Sequence, residues 1–181
     1  MDFQSSRTFQ NLQIAYKEEL MASTRYNIFS DIAKNEGYIE IGNIYDVTAR
    51  NEKEHARVWL RRLNQGSLPT TAEVLQESSQ YEYMISSTMY QEFATIALEE
   101  GYNDIAALFN GIANIDYNHS DNFNILYENV LENEVFCKPE STLWICLQCG
   151  NILFGDCAPA ICPICGFPQG YYKLYDETIT T

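Results

Sequence analysis

A stretch near the start of this chain returns 64 residues later, and that duplication limits the fold more than any other feature. Ala33 matches Ala97, Gly37-Tyr38 matches Gly101-Tyr102, and Ile41 matches Ile105 at the same offset. Ile44 and Leu108, Tyr45 and Phe109, Ala49 and Ala113, Trp59 and Phe123, and Tyr26 and Tyr90 keep it too. A repeat of this length, with helical periodicity on both copies, is a duplicated helix pair. Two such hairpins predict a four-helix bundle.

The duplication also copies a chemical pattern. Glu52-Lys53-Glu54-His55 places a carboxylate and an imidazole three residues apart, and Asp116-Tyr117-Asn118-His119 does so again. Residues at i and i+3 share one face of a helix. A carboxylate beside a neutral imidazole is half a site for iron, zinc or manganese. Taken singly, each pair reads equally as a solvated polar face. The chain has two histidines, and both fall in this pattern.

The formal charge of −14 and pI near 4.4 argue against a nucleic-acid partner, which requires clustered Lys and Arg. No apolar run has transmembrane length, and Met1 to Arg7 has no apolar signal core, so no membrane partner and a cytoplasmic location are expected. In that compartment six cysteines suggest metal ligands or free thiols.

Periodicity predicts helices over about Thr8–Asn35, Ile39–Leu63, Leu75–Glu100 and Asn103–Asn133. Gly37 and Gly101 end the first and third. The second carries Ile41, Ile44, Tyr45, Thr48, Glu52, His55 and Trp59 on one stripe, apolar at both ends and ligand-bearing in the middle. Half-sites that meet in the bundle centre leave the second and third helices parallel. Their connection of about 11 residues reaches about 36 Å, against about 37 Å for a 25-residue helix. A crossover within one chain is barely feasible, so helices exchanged between the subunits of a dimer are one expectation.

From Thr142 the chain turns rich in Cys, Gly, Pro and aromatics. Some 40 residues cannot close a hydrophobic core unaided. Cys146-x-x-Cys149 and Cys162-x-x-Cys165, twelve residues apart, supply four thiolates for a tetrahedral metal site. Spacing alone leaves zinc and iron open. Cys137 and Cys157 lie outside the pattern and read as free thiols.

A bundle with duplicated carboxylate-x-x-His half-sites and a C-terminal four-cysteine knob resembles rubrerythrin. The strings that carry the likeness are Ser6-Arg7-Thr8, Arg25-Tyr26-Asn27, Glu52-Lys53-Glu54-His55-Ala56, Met89-Tyr90, Glu99-Glu100-Gly101-Tyr102, Trp144-Ile145-Cys146, and Ala158-Pro159 ahead of Cys162-Pro163. The resemblance implies a mainly α, ferritin-like diiron four-helix bundle over residues 1–135, a linker over 136–143, and a rubredoxin-like domain over 144–181. It implies two irons on Glu19, Glu52, His55, Glu82, Asp116 and His119, with Glu18 the neighbouring alternative to Glu19. It turns the metal on Cys146, Cys149, Cys162 and Cys165 from zinc towards iron. Tyr26 and Tyr90 would hydrogen-bond the ligand carboxylates. Asp116 stands where the family has Glu, and Ile85 stands where it has a further glutamate.

The activity implied is a non-haem peroxidase of oxidative-stress defence, reducing hydrogen peroxide to water. Electrons would pass from an external NAD(P)H-dependent reductase through the four-cysteine iron of the partner chain in a homodimer. Ile85 keeps open an O2-using oxidase or ferroxidase. Zinc on the four cysteines would fit a non-catalytic metal-binding protein.

Overall fold

The computed structural model describes residues 2–175. Its elements are α1 (Arg7–Asn35), α2 (Ile39–Leu63), α3 (Thr71–Met84), a π-helical turn (Ile85–Met89), α4 (Tyr90–Glu99) and α5 (Asn103–Leu131). They are followed by β1 (Cys137–Cys146), β2 (Ile152–Cys157) and β3 (Tyr172–Leu174). The chain forms two compact units, one ending at Thr70 and the other starting at Thr71. No helix among the described residues is long and apolar enough to cross a membrane.

The helix ends follow from local chemistry. Ser6 accepts the Phe9 N–H at 3.1 Å and caps α1. Behind α1, Gly37 takes φ +89°, and the Tyr38 N–H reaches back to the Ala33 carbonyl at 2.8 Å. Gly101 (φ +87°) and Tyr102 repeat this behind α4, with the same 2.8 Å bond to Ala97. An L-residue strains in that left-handed conformation, which explains glycine at both positions.

Each hairpin closes on small residues. In the first unit, Ser23 and Ser30 of α1 face Gly42 and Ala49 of α2. The Ser23 hydroxyl donates to the Ala49 carbonyl at 2.8 Å, and that of Ser30 to the Gly42 carbonyl at 2.9 Å. A Cβ on Gly42 would come within 3.1 Å of the Ser30 carbonyl oxygen, so the backbones approach closely there. Buried Gly42, Ala49 and Ala56 on α2 are matched by buried Ala106, Ala113 and Ser120 on α5. The duplication thus preserves the contact layer as well as the sequence. Larger apolar side chains, among them Ile14, Ile28, Ile41 and Ile44, lie outside this layer and are exposed.

The third helix departs from the sequence expectation in two respects. The third helix starts at Thr71 rather than near Leu75, leaving residues 64–70 as the connection. It is also interrupted by the π turn. A π turn spans i→i+5 and holds one more residue than the α-helix allows.

Residues 137–143, expected as linker, belong to β1. The sheet is antiparallel with order β2-β1-β3. Cys137 stands directly opposite Cys157, and the register slips between Cys137 and Thr142, where β1 bulges. Pro139 lies in that slip, where no ladder hydrogen bond is required of it. The two cysteines form a disulfide, which corrects the reading of both as free thiols. Their pairing is set by strand register across 20 residues, which no local pattern reports. The small core of the knob is Trp144, Cys146, Ala158, Cys162 and Tyr172.

Candidate metal centres

In the first unit, α1 supplies Glu19 and α2 supplies Glu52 and His55. One ligand atom from each lies within 4.8 Å of the others. His55 Nδ1 is 2.9 Å from Glu52 Oε2 and 3.5 Å from Glu19 Oε2. In the second unit, α3 supplies Glu82 and α5 supplies Asp116 and His119, within the same limit. Here the spacing is looser: His119 Nδ1 is 3.7 Å from Asp116 Oδ1 and 4.0 Å from Glu82 Oε2. Asp116 is one methylene shorter than Glu52, which accounts for part of the wider gap.

The π turn explains why α1 and α3 fall out of register with the duplication. Tyr26 and Tyr90 are 64 positions apart, but Glu19 and Glu82 are separated by one fewer. The residue that restores the offset falls between Glu82 and Tyr90, where the helix widens over Ile85–Met89. With that residue discounted, Ser23 matches Ser86, and both are buried. Glu19, not Glu18, is therefore the structural counterpart of Glu82. A uniform 64-residue offset pairs Glu82 with Glu18, and the slip itself was the signal that could have located the turn.

Ile85 opens the π turn and is buried, three residues beyond Glu82. No carboxylate is offered from that position. Tyr26 and Tyr90 lie in aromatic trios. Tyr26 contacts Phe29 and Tyr45, and Tyr90 contacts Phe93 and Phe109, with Tyr26–Tyr45 and Tyr90–Phe109 centroids 5.9 and 5.8 Å apart. Among the described residues, neither hydroxyl hydrogen-bonds a ligand carboxylate.

Two observations test whether cations fit the helical triads. Glu82 Oε2 is buried and has no hydrogen-bond partner. A buried carboxylate oxygen without a donor is costly, and a coordinated cation would satisfy it. In the first triad, the adjoining Glu19 carboxyl and then the His55 imidazole hold Glu52 below the usual carboxylate range. Glu52 in turn raises His55 above its ordinary value. Glu52 therefore favours the protonated imidazole, and a metal competes with that proton for the ring nitrogen. Metal affinity of this half-site is expected to fall as pH drops through the His55 titration, which Glu52 moves upward. Each displaced proton contributes about one tenfold loss per pH unit. Calorimetric metal titrations across pH 5 to 8 would measure this slope, and a flat profile would contradict it.

The four cysteines present the clearest geometry. Cys146 and Cys165 Sγ are 3.7 Å apart, as are those of Cys149 and Cys162. A tetrahedron with metal–sulfur bonds of about 2.3 Å has edges of about 3.8 Å. Each Cys-x-x-Cys pair is folded by a backbone bond, Gly150 N–H to Cys146 O at 2.8 Å and Gly166 N–H to Cys162 O at 3.0 Å. Both glycines have φ +75°. The Tyr172 hydroxyl, beside Cys162, brings that thiol down to about 6. Although the Phe167 N–H favours its thiolate, Cys165 is pushed up to about 12 by burial and its three neighbouring thiols. Four thiolates cannot crowd together without a central cation.

The rubrerythrin family model matches residues 10–126 and again 73–143. A second model, described as the rubredoxin-like domain of rubrerythrin, matches residues 144–173. The rubrerythrin of Clostridium perfringens is 39% identical over 188 residues, covering 96% of this chain and 96% of that protein. Rubrerythrin-1 of Clostridium acetobutylicum is 36% identical over 187 residues, covering 95% and 96%. A solved mixed-valence state of nigerythrin shares 23% identity with a TM-score of 0.36, covering 94% of this chain and 87% of that one.

Proposed function

The chain belongs to the rubrerythrin family, and we propose that it reduces hydrogen peroxide to water with electrons relayed through the four-cysteine metal. Family membership makes it a diiron and rubredoxin-type protein of oxidative-stress defence, among relatives that are generally oxidoreductases. The rubrerythrin domain implies a diiron site, and the rubredoxin-like domain implies iron or zinc on four cysteines.

The observation that carries the peroxide reading is the pair of triads with equivalent donors, each two carboxylates and one imidazole. Glu19, Glu52 and His55 would hold one iron, and Glu82, Asp116 and His119 the other. When bound in the ferrous state, such a pair supplies the two electrons that split an O–O bond. The four carboxylates would balance the four positive charges of the reduced pair, which keeps burial of the site tolerable. His55 would release the proton it shares with Glu52 on loading and donate a neutral nitrogen. Ile85, three residues beyond Glu82, offers the site no further carboxylate.

Ile85 also favours a second reading. A site with six ligands and no movable extra carboxylate suits O2 as the oxidant, in an oxidase or ferroxidase. Stopped-flow mixing of the reduced holoprotein with H2O2 and with O2 separates the two. Oxidation by peroxide is expected to be the faster, and equal or slower oxidation by peroxide overturns the proposal.

A homodimer with exchanged helices is part of the proposal. Residues 64–70 reach about 25 Å when extended, short of the roughly 37 Å length of α2. Gln65 and Gly66, at φ 54° and 103°, shorten that reach further. The apolar side chains left exposed on each hairpin suit a second copy. A cytoplasmic NAD(P)H-dependent reductase would be the source of electrons.

A further inference from the structure

Beyond both metal centres, Cys137 and Cys157 have no part in the proposed chemistry. They occupy the first position of β1 and the last of β2, directly opposite each other and covalently joined. Their surroundings connect two parts of the second unit. On one side, Lys138 Nζ donates to Asn129 Oδ1 of α5 at 3.0 Å and pairs with Glu134 at 3.5 Å. On the other, Ala158 follows Cys157 directly and is buried in the knob core with Trp144, Cys146 and Cys162. Ala158 N–H donates to the Phe136 carbonyl at 2.8 Å.

The sheet is weakest at this point. Four residues of β1 lie between Cys137 and Thr142, whereas one of β2 lies between Gly155 and Cys157, so the ladder between them is interrupted. The Ser141–Asp156 hydrogen bond and the disulfide bridge that gap. Cys157 is exposed and Cys137 half-buried, so soluble reagents reach the bond. The same domain needs four reduced cysteines to take up its metal. An exposed disulfide beside four cysteines that must stay reduced meets the same reductants that keep those four as thiols.

We infer that Cys137 and Cys157 are a reversible dithiol–disulfide site, oxidised by hydroperoxide, that clasps the bulged end of the β1–β2 pair where the knob joins α5. The inference draws on the proposed function only for the presence of peroxide. In the forward step the exposed Cys157 thiolate attacks one peroxide oxygen. The O–O bond breaks, the sulfur becomes a sulfenic acid, and the departing hydroxide takes a proton to become water. The Cys137 thiolate, having lost its proton, then attacks that sulfur. The S–O bond breaks and a second water leaves. Two thiols and one peroxide become one disulfide and two waters, with both electrons drawn from sulfur. A small dithiol reverses the reaction through a mixed disulfide and is itself left oxidised.

The test uses the full-length, metal-loaded chain, reduced with dithiothreitol and freed of it. After stoichiometric H2O2, acid quenching, denaturing alkylation and peptide mass spectrometry, the Cys137 and Cys157 peptides are expected to be cross-linked and lighter by two hydrogens. Dithiothreitol added to the native protein should reopen the link. In Cys137→Ser, Cys157 should be trapped as a sulfenic acid by dimedone. Amide exchange over residues 138–142 should be at least about tenfold slower in the oxidised protein. Two results overturn the inference: both thiols remaining free after peroxide, or a disulfide that dithiothreitol cannot open without denaturant. Peroxide turnover of the C137S/C157S double variant is read separately. Normal turnover with an inert pair in the parent protein removes this inference alone. A reactive pair in a chain without turnover removes the peroxidase proposal alone.

Discussion

Replacing His55 and His119 together by alanine is expected to abolish binuclear metal loading while leaving the helices and the four-cysteine metal in place. Each imidazole is one of three donors in its triad, and each triad lies within one hairpin. The hairpins close through other residues. Ser23, Ser30, Gly42 and Ala49 form the α1–α2 contact layer, and Ala106, Ala113 and Ser120 line α5. Both histidine side chains are about half exposed in the chain, at 55% and 50%. Their removal therefore opens no cavity in either layer. Loss of a group that only orients a ligand weakens metal binding by about 10- to 100-fold, and loss of a ligand itself should exceed that. Circular dichroism should change little while the metal content of the helical unit falls to background. Undiminished loading of two metals would show that other groups hold them.

Cys162→Ser is expected to unfold the knob and spare the helices. Cys146 and Cys162 are both ligand candidates and two of the five residues that form its core. The metal therefore replaces the hydrophobic interior that a domain this small lacks. Structural zinc on comparable sites contributes about 10–16 kcal/mol, far more than the remaining Trp144, Ala158 and Tyr172 contacts can provide. The near-ultraviolet signal of Trp144 reports the loss, since its ring is fully buried and its indole N–H donates to the Gly155 carbonyl at 3.0 Å. Far-ultraviolet helicity should persist. A chelator strong enough to strip the site should reproduce both effects in the parent chain. Retention of the Trp144 signal in the variant would show that the sheet holds without its metal.

The features that could be read from sequence were those with local or repeated signatures. Helical periodicity, together with Gly37 and Gly101, located the helices because caps and periods act over a few residues. The four cysteines were legible from spacing, because a knuckle closes within four positions. The carboxylate-x-x-His pairs emerged through the duplication, while Glu19 and Glu82 followed only from the family resemblance. What stayed hidden depends on register. One residue absorbed by a π turn between Glu82 and Tyr90 made Glu18 and Glu19 hard to tell apart in a fixed-offset comparison. Lys138-Pro139-Glu140-Ser141 has no alternation, so the opening of β1 read as linker. The pairing of Cys137 with Cys157 exists only once β1 and β2 are aligned, and neither cysteine carries a motif.

Iron content of protein purified without oxygen, taken with its visible spectrum before and after one equivalent of H2O2, tests the duplicated half-sites most directly. Two irons per chain beyond the metal of the four cysteines are predicted, with an oxidised diiron absorption growing in as peroxide is consumed. A single metal per chain, on the four cysteines alone, with no peroxide-dependent change from the helical unit, would contradict a diiron centre built on Glu19, Glu52, His55, Glu82, Asp116 and His119.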